Sequence, residues 1–248
     1  MTDPYVYKGT DILINTFNIK DANIVGKMEA DFTQCRIHDM LINPIEGKFD
    51  FAHLCEFHRY IFQDVYVWAG NPRVINISKY EPILGGLSIE YEKHGKIKQS
   101  MDTILKEMNS LKWDNMNLQQ KTEIFAQKMT DIWKVHCFRE GNTRTTLLFC
   151  REFGKKHGIY LDNDFFKRNS VFVRLALVAA SAKYSDIGDL SEPRHLLKVV
   201  SKSMQIGEQL ITEKKGMEKW KASMTAHKPV QSQVERKERN VKSRDYIG

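Results

Sequence analysis

Nine consecutive residues, His136-Cys137-Phe138-Arg139-Glu140-Gly141-Asn142-Thr143-Arg144, bring a base, a carboxylate, a glycine, an amide and a guanidinium into one short stretch. With a reference pKa of about 6.5, a histidine such as His136 can accept a proton at neutral pH. Glu140 offers the hard oxygen ligand that a magnesium ion bridging phosphate oxygens takes. Gly141 permits positive φ or a close backbone approach, and Asn142 suits the N-cap of a helix starting near Thr143. The unpaired amides at 142–144 and the fork of Arg144 would then hold phosphate groups. The chemistry on offer is a phosphate cradle with a base beside it. Two plainer readings use the same residues. A loop of this composition also serves as a surface connection between helices. His136 and Glu140, four apart, would ligate a transition metal on a helix, although Gly141 argues against helix there and no second ligand pair accompanies them.

The elements that must position this loop are helical. Residues 119–135 place Ile124, Phe125, Met129, Ile132 and Trp133 on one face, and residues 145–157 continue with Leu147, Leu148, Phe149 and Phe153. Phe138 is expected to point into the core between them. Further helices are expected at 22–41, 50–64, 91–111, 164–181 and 191–213, with the loop helices at 118–134 and 143–157, after an extended segment at 5–7. Residues 74–89, with β-branched alternation, Pro82 and Gly85-Gly86, predict a short hairpin or flap. His58, Trp68 and Trp133 read as packing residues.

The 248 residues suffice for one domain with a sizeable core. No apolar run approaches a membrane span and no Sec signal pattern opens the chain, so a cytoplasmic protein, or one delivered into another cell, is expected. Cys35, Cys55, Cys137 and Cys150 lack metal or disulfide-framework spacing and are expected as mostly buried thiols. Of the net charge of +7, residues 213–248 carry +5, which predicts a flexible basic tail or a loosely docked helix. The body is too mildly basic to suggest a nucleic-acid surface.

The nonapeptide resembles the signature of the Fic (Fic/Doc) family, His-x-Phe-x-Asp/Glu-Gly-Asn-Gly-Arg-x-x-Arg, through His136, Phe138, Glu140, Gly141, Asn142 and Arg144. Upstream, His53, Leu54, His58, Phe62, Asp64, Val65, Tyr66 and Trp68-Ala69-Gly70 are similar to the family's early helix and turn, and residues 75–89 to its flap. The resemblance spans residues 5–205. It implies an all-α Fic-type domain with a short β-hairpin flap, organised as an N-terminal segment and helix (1–48), the core (49–212) and the tail (213–248). It implies transfer of AMP from ATP to a Ser, Thr or Tyr hydroxyl of a protein. In that scheme His136 is the general base, Glu140 holds magnesium, Gly141, Asn142 and Thr143 form the anion hole, and Arg144 stabilises the leaving pyrophosphate. The flap, through Ile75, Ile77 and Tyr80, would align an extended piece of the target by strand addition.

Two positions depart from the pattern. Thr143 replaces a glycine, placing a Cβ at the mouth of the anion hole. Leu147 replaces the arginine that would grip the γ-phosphate, a contact worth about 1.5–3 kcal/mol; Arg151 is a candidate substitute. These departures keep two alternatives open: a degenerate member that binds nucleotide or a partner without transfer, and use of another donor such as UTP or CDP-choline. The family's inhibitory pattern, Ser/Thr-x-x-x-Glu-Gly/Asn, is approached only at Glu46-Gly47, where Ile42 and Pro44 spoil it. No intact built-in inhibitory helix is expected, which leaves room for a separate antitoxin-like protein.

Overall fold

A computed structural model describes residues 3–226. Their contacts divide the described residues into a main unit, up to Glu208, and a second unit from Gln209. The main unit holds α1 (Ala22–Ile42), α2 (Phe51–Phe62), α3 (Ile97–Ser110), α4 (Leu118–Val135), α5 (Asn142–Lys156), α6 (Asn163–Arg168), α7 (Ser170–Ala180) and the first turns of α8 (Arg194–Ala226). The part of α8 in the second unit runs on to Ala226, beyond the end expected at residue 213. The expected flexibility of the tail past that point lies outside the described residues.

Local chemistry explains most boundaries. Asp50 caps α2 through a 3.0 Å bond from the His53 amide. Asn117 and Gln120 close a reciprocal capping box on α4. The helix expected at 91–111 begins only at Ile97, because Tyr91 is drawn into the core in an extended lead-in. The helix expected at 164–181 is two, broken at Asn169, whose side-chain amide donates to the Phe165 carbonyl at 2.8 Å.

One continuous core joins these helices. α2 packs on α1 and α5, and α4 on α3, α5 and α7. Trp113, Trp133, Phe57, Phe125, Phe149 and Phe153 are fully buried within it. The single two-stranded hairpin among the described residues pairs β1 (Lys183–Tyr184) with β2 (Gly188–Asp189) in antiparallel register. The hairpin expected at 74–89 does not form there. That segment is extended from Val74 and turns through a short 3₁₀ helix at Pro82–Leu84, with no strand pairing. Its burial alternates all the same: Arg73, Ile75, Ile77 and Lys79 face inward, while Val74, Asn76, Ser78 and Tyr80 face solvent. The core, rather than a partner strand, holds the inward row.

Candidate active site

The site lies where α4 ends and α5 begins. His136 caps α4 in the left-handed region, at φ 52°, an uncommon conformation for a residue with a side chain. Its Nδ1 lies 3.3 Å from the Trp133 carbonyl, which can only accept, so that nitrogen carries the proton. The other ring nitrogen, Nε2, is then a lone-pair acceptor, and it is buried without any hydrogen-bond partner. Burial first, and then the charge of Lys79, hold the imidazole well below its ordinary pKa; Arg73 and Arg174 act in the same direction. His136 is therefore a neutral base with its lone pair unused.

Four residues later the chain turns into α5. Gly141 is the N-cap at φ 81°, and a Cβ there would come within 2.2 Å of the Phe62 ring. Only glycine satisfies both constraints. No side chain caps the first turn of α5 and no acidic residue lies in it, so its leading amides and the positive end of the dipole are left for an anion. The Glu140 carboxylate stands at this helix start, accepting from the Gly141 amide through Oε1 at 3.0 Å and facing the Lys79 ammonium through Oε2 at 3.4 Å. Burial pushes its pKa up, but Lys79, the Gly141 amide and Arg144 outweigh burial and hold it below the usual range.

Asn142 is placed differently from expectation. It is the first residue of α5 rather than its N-cap, because the left-handed Gly141 already makes the turn. Its side chain accepts from the Phe138 amide at 2.9 Å and donates to the Phe138 carbonyl at 2.8 Å, clamping the loop and leaving one amide hydrogen uncommitted. The Thr143 hydroxyl accepts from the Trp133 indole N–H at 2.9 Å, so the departure at 143 is tied to α4. Arg144 donates to Thr33 and pairs with Glu29 of α1 at 2.5 Å, its guanidinium 4.7 Å above the Phe62 ring. Leu147 packs against the core, and Arg151 pairs with its neighbour Glu152.

Three residues that hold the site together escaped sequence reasoning. Arg73 is 2% exposed and donates to the carbonyls of His136 (2.8 Å), Ile75 (2.7 Å) and Glu92. One guanidinium thus ties the base to both ends of the flap. Glu81, 1% exposed, takes a two-pronged bond from Arg174 of α7, which anchors the flap's far end. Glu29 reaches Arg144 and also accepts from the Tyr66 hydroxyl. Glu81 lies in the predicted flap and Arg73 just before it, but their burial shows only in the fold. Glu29 carried no signal in the sequence.

His58 behaves as the packing residue expected. It accepts from the Gly70 amide at Nδ1 (2.8 Å), so Nε2–H donates to the Glu140 carbonyl (3.0 Å), and its ring stacks on Phe138 at 3.8 Å. Of the flap residues, Ile75 and Ile77 pack inward against the core, whereas Tyr80 is 76% exposed. All four cysteines are free; Cys137 and Cys150 are buried and burial pushes their thiols up, while Cys35 is exposed.

A single carboxylate suits magnesium better than a transition metal. Magnesium is commonly held by one or two carboxylates together with substrate phosphates and water. No cluster of three or more His, Cys, Asp or Glu side chains able to hold a metal occurs among the described residues. Glu140 Oε2 is paired with the Lys79 ammonium at 3.4 Å.

Known proteins share sequence or fold with this chain. The Fic/DOC family profile matches residues 48–153. The probable protein adenylyltransferase y4lH of Sinorhizobium fredii is 34% identical over 164 residues, covering 64% of this chain and 79% of that protein. Protein adenylyltransferase VbhT of Bartonella schoenbuchensis is 28% identical over 169 residues, 68% of this chain; the chain spans only about a third (34%) of that longer relative. Among solved structures, BepC of Bartonella tribocorum with bound AMPPNP superposes with a TM-score of 0.64 at 22% identity, covering 80% of this chain and 95% of that one. The chain is a member of the Fic/DOC family.

Proposed function

We propose that this chain is a protein adenylyltransferase, moving AMP from ATP to a Ser, Thr or Tyr hydroxyl of a target protein. The observation that carries the reading is the buried, unpartnered Nε2 of His136 beside the uncapped start of α5. The names of the relatives and the nucleotide in the BepC structure support the same activity.

In this reading His136 Nε2 takes the hydroxyl proton as the oxygen attacks the α-phosphorus. The bond from that phosphorus to the bridging oxygen of the β-phosphate breaks, and pyrophosphate leaves. The amides at Asn142 and Thr143 and the spare hydrogen of the Asn142 side chain hold the α-phosphate, and Arg144 meets the leaving group. Glu140 would hold magnesium, which neutralises charge on the phosphate chain. Preorganised donors aimed at developing charge account for most of the acceleration expected of such a site. An extended target segment lies along the flap, where an open groove of about 650 Å³ is lined by Ile75, Asn76, Ile77, Ser78, Lys79 and Arg139 among others. The target is met in the cytoplasm or in a cell into which the protein is delivered; BepC is described as a VirB-translocated effector. No helix among the described residues is long and apolar enough to cross a membrane.

Incubation with α-labelled ATP, magnesium and lysate tests the reading. Label should appear on protein with the wild type and vanish with His136→Ala. Leu147 and the pairing of Arg144 with Glu29 favour one other reading, a nucleotide-binding protein without transfer. It predicts measurable ATP binding with no label. Label from UTP or CDP-choline in preference to ATP would instead change the donor.

A further inference from the structure

Lys79 belongs to the inward row of the flap, with Ile75 and Ile77, but it is the charged member of that row. Its backbone amide donates to the Ser88 hydroxyl at 3.0 Å, so the main chain at this point is tied within the flap while the side chain reaches across to the loop. The ammonium, about a quarter exposed, meets Oε2 of Glu140, the carboxylate oxygen not engaged by the Gly141 amide. A divalent cation arriving at the same carboxylate meets the ammonium's like charge at short range, so the two compete for Glu140.

We propose that Lys79 is the resident counter-cation of Glu140, displaced by magnesium when the metal–nucleotide complex enters, and that its released ammonium then pairs with the phosphate chain. The proposal rests on the nucleotide-site reading above. The flexible four-carbon stem allows the move without moving the flap, whose ends are held by Arg73 and by the Arg174–Glu81 pair. The uncapped start of α5, adjoining Glu140, is where the phosphates gather, so the ammonium has an anion within reach. This arrangement also supplies a cation to a site whose sequence has Leu147 in place of an arginine.

Calorimetric titration of the full chain with AMPPNP across a range of magnesium concentrations tests this. In Lys79→Met and Lys79→Gln, the magnesium concentration giving half-maximal nucleotide binding should fall severalfold, because the competitor for Glu140 is gone. At saturating magnesium the same variants should bind AMPPNP about tenfold more weakly, because a charge-assisted contact is lost. The exposed α3 change Lys106→Gln, far along the chain from the loop, should leave both quantities as in the wild type. An unchanged magnesium midpoint, or an unchanged affinity at saturating magnesium, overturns the proposal while nucleotide binding itself stands. Absence of AMPPNP binding in wild type and variants alike would overturn the nucleotide-site reading, and this proposal with it.

Discussion

The guanidinium of Arg144 lies 2.5 Å from the carboxylate of Glu29, so the arginine beside the phosphate cradle is already paired by a residue of α1. The Tyr66 hydroxyl also donates to Glu29, which keeps the carboxylate in place. A leaving pyrophosphate would have to share or take over that guanidinium. Glu29→Gln should therefore tighten nucleotide binding by about three- to tenfold, read by calorimetry, at a stability cost of about 1 kcal/mol or less for a partly exposed pair. Equal affinity in the two proteins would show that Glu29 orients Arg144 without competing for it.

The base should work in acid. His136 is held well below its ordinary pKa, first by burial and then by Lys79, so transfer at saturating nucleotide should stay level as pH falls from 8 to about 6. An acid limb centred near the ordinary value of about 6.5 would mean that the imidazole is solvated during turnover.

Stability should move the other way with acid. His58, buried and stacked, is lowered to about 3, by burial above all. Unfolded imidazoles bind protons below a pH of about 6.5, whereas folded His58 and His136 do not, so the unfolded state binds more protons in that window. Stability is full above it and declines as pH drops towards the folded values, by about 1.4 kcal/mol per pH unit for each group. Urea midpoints at pH 7, 6 and 5 would register the slope; a flat series would contradict it.

Gly141→Ala should cripple the loop. The new methyl would overlap the Phe62 ring and the residue would keep a left-handed φ, a strain of about 1–3 kcal/mol before the overlap is counted. Chemical denaturation measures the loss. Truncating Phe62 to relieve the overlap should recover only part of it, because the backbone strain remains.

Arg73 and the Glu81–Arg174 pair make a paired test of flap anchoring. Glu81 is buried while Arg174 is 40% exposed, so stranding the Glu81 carboxylate costs about 1–3 kcal/mol, whereas replacing both with apolar groups is often near neutral. Arg174→Met should thus destabilise by about that much, and Glu81→Met combined with it should restore much of the loss, in a double-mutant thermal series. Arg73→Met has no such rescue, since it leaves the carbonyls of His136, Ile75 and Glu92 without their donor.

Much of the frame was legible because its signals are local. The apolar spacing of α4 and α5 and the buried Phe138 follow from residues within a turn or two of one another. The misread elements were those where tertiary packing overrode pattern. Alternating and β-branched residues at 74–89 suited a hairpin or flap, yet Ile75 and Ile77 pack on the core and Arg73 holds the Ile75 carbonyl, so no partner strand is needed. Tyr91 left the helix expected around it because its ring lies 4.1 Å from that of His136 in the core.

Contiguity let the sequence alone determine which chemical groups meet at the α4–α5 junction: a base, a carboxylate and a helix start within nine residues. Tertiary structure decided which atoms of that set are free. It commits the Asn142 side chain to Phe138, leaves His136 Nε2 unpaired, and brings Lys79 and Glu29 onto Glu140 and Arg144 across 61 and 115 residues of chain. Residue types are written in the sequence, but the distances that set a proton, a charge or a hydrogen bond exist only once distant helices have packed.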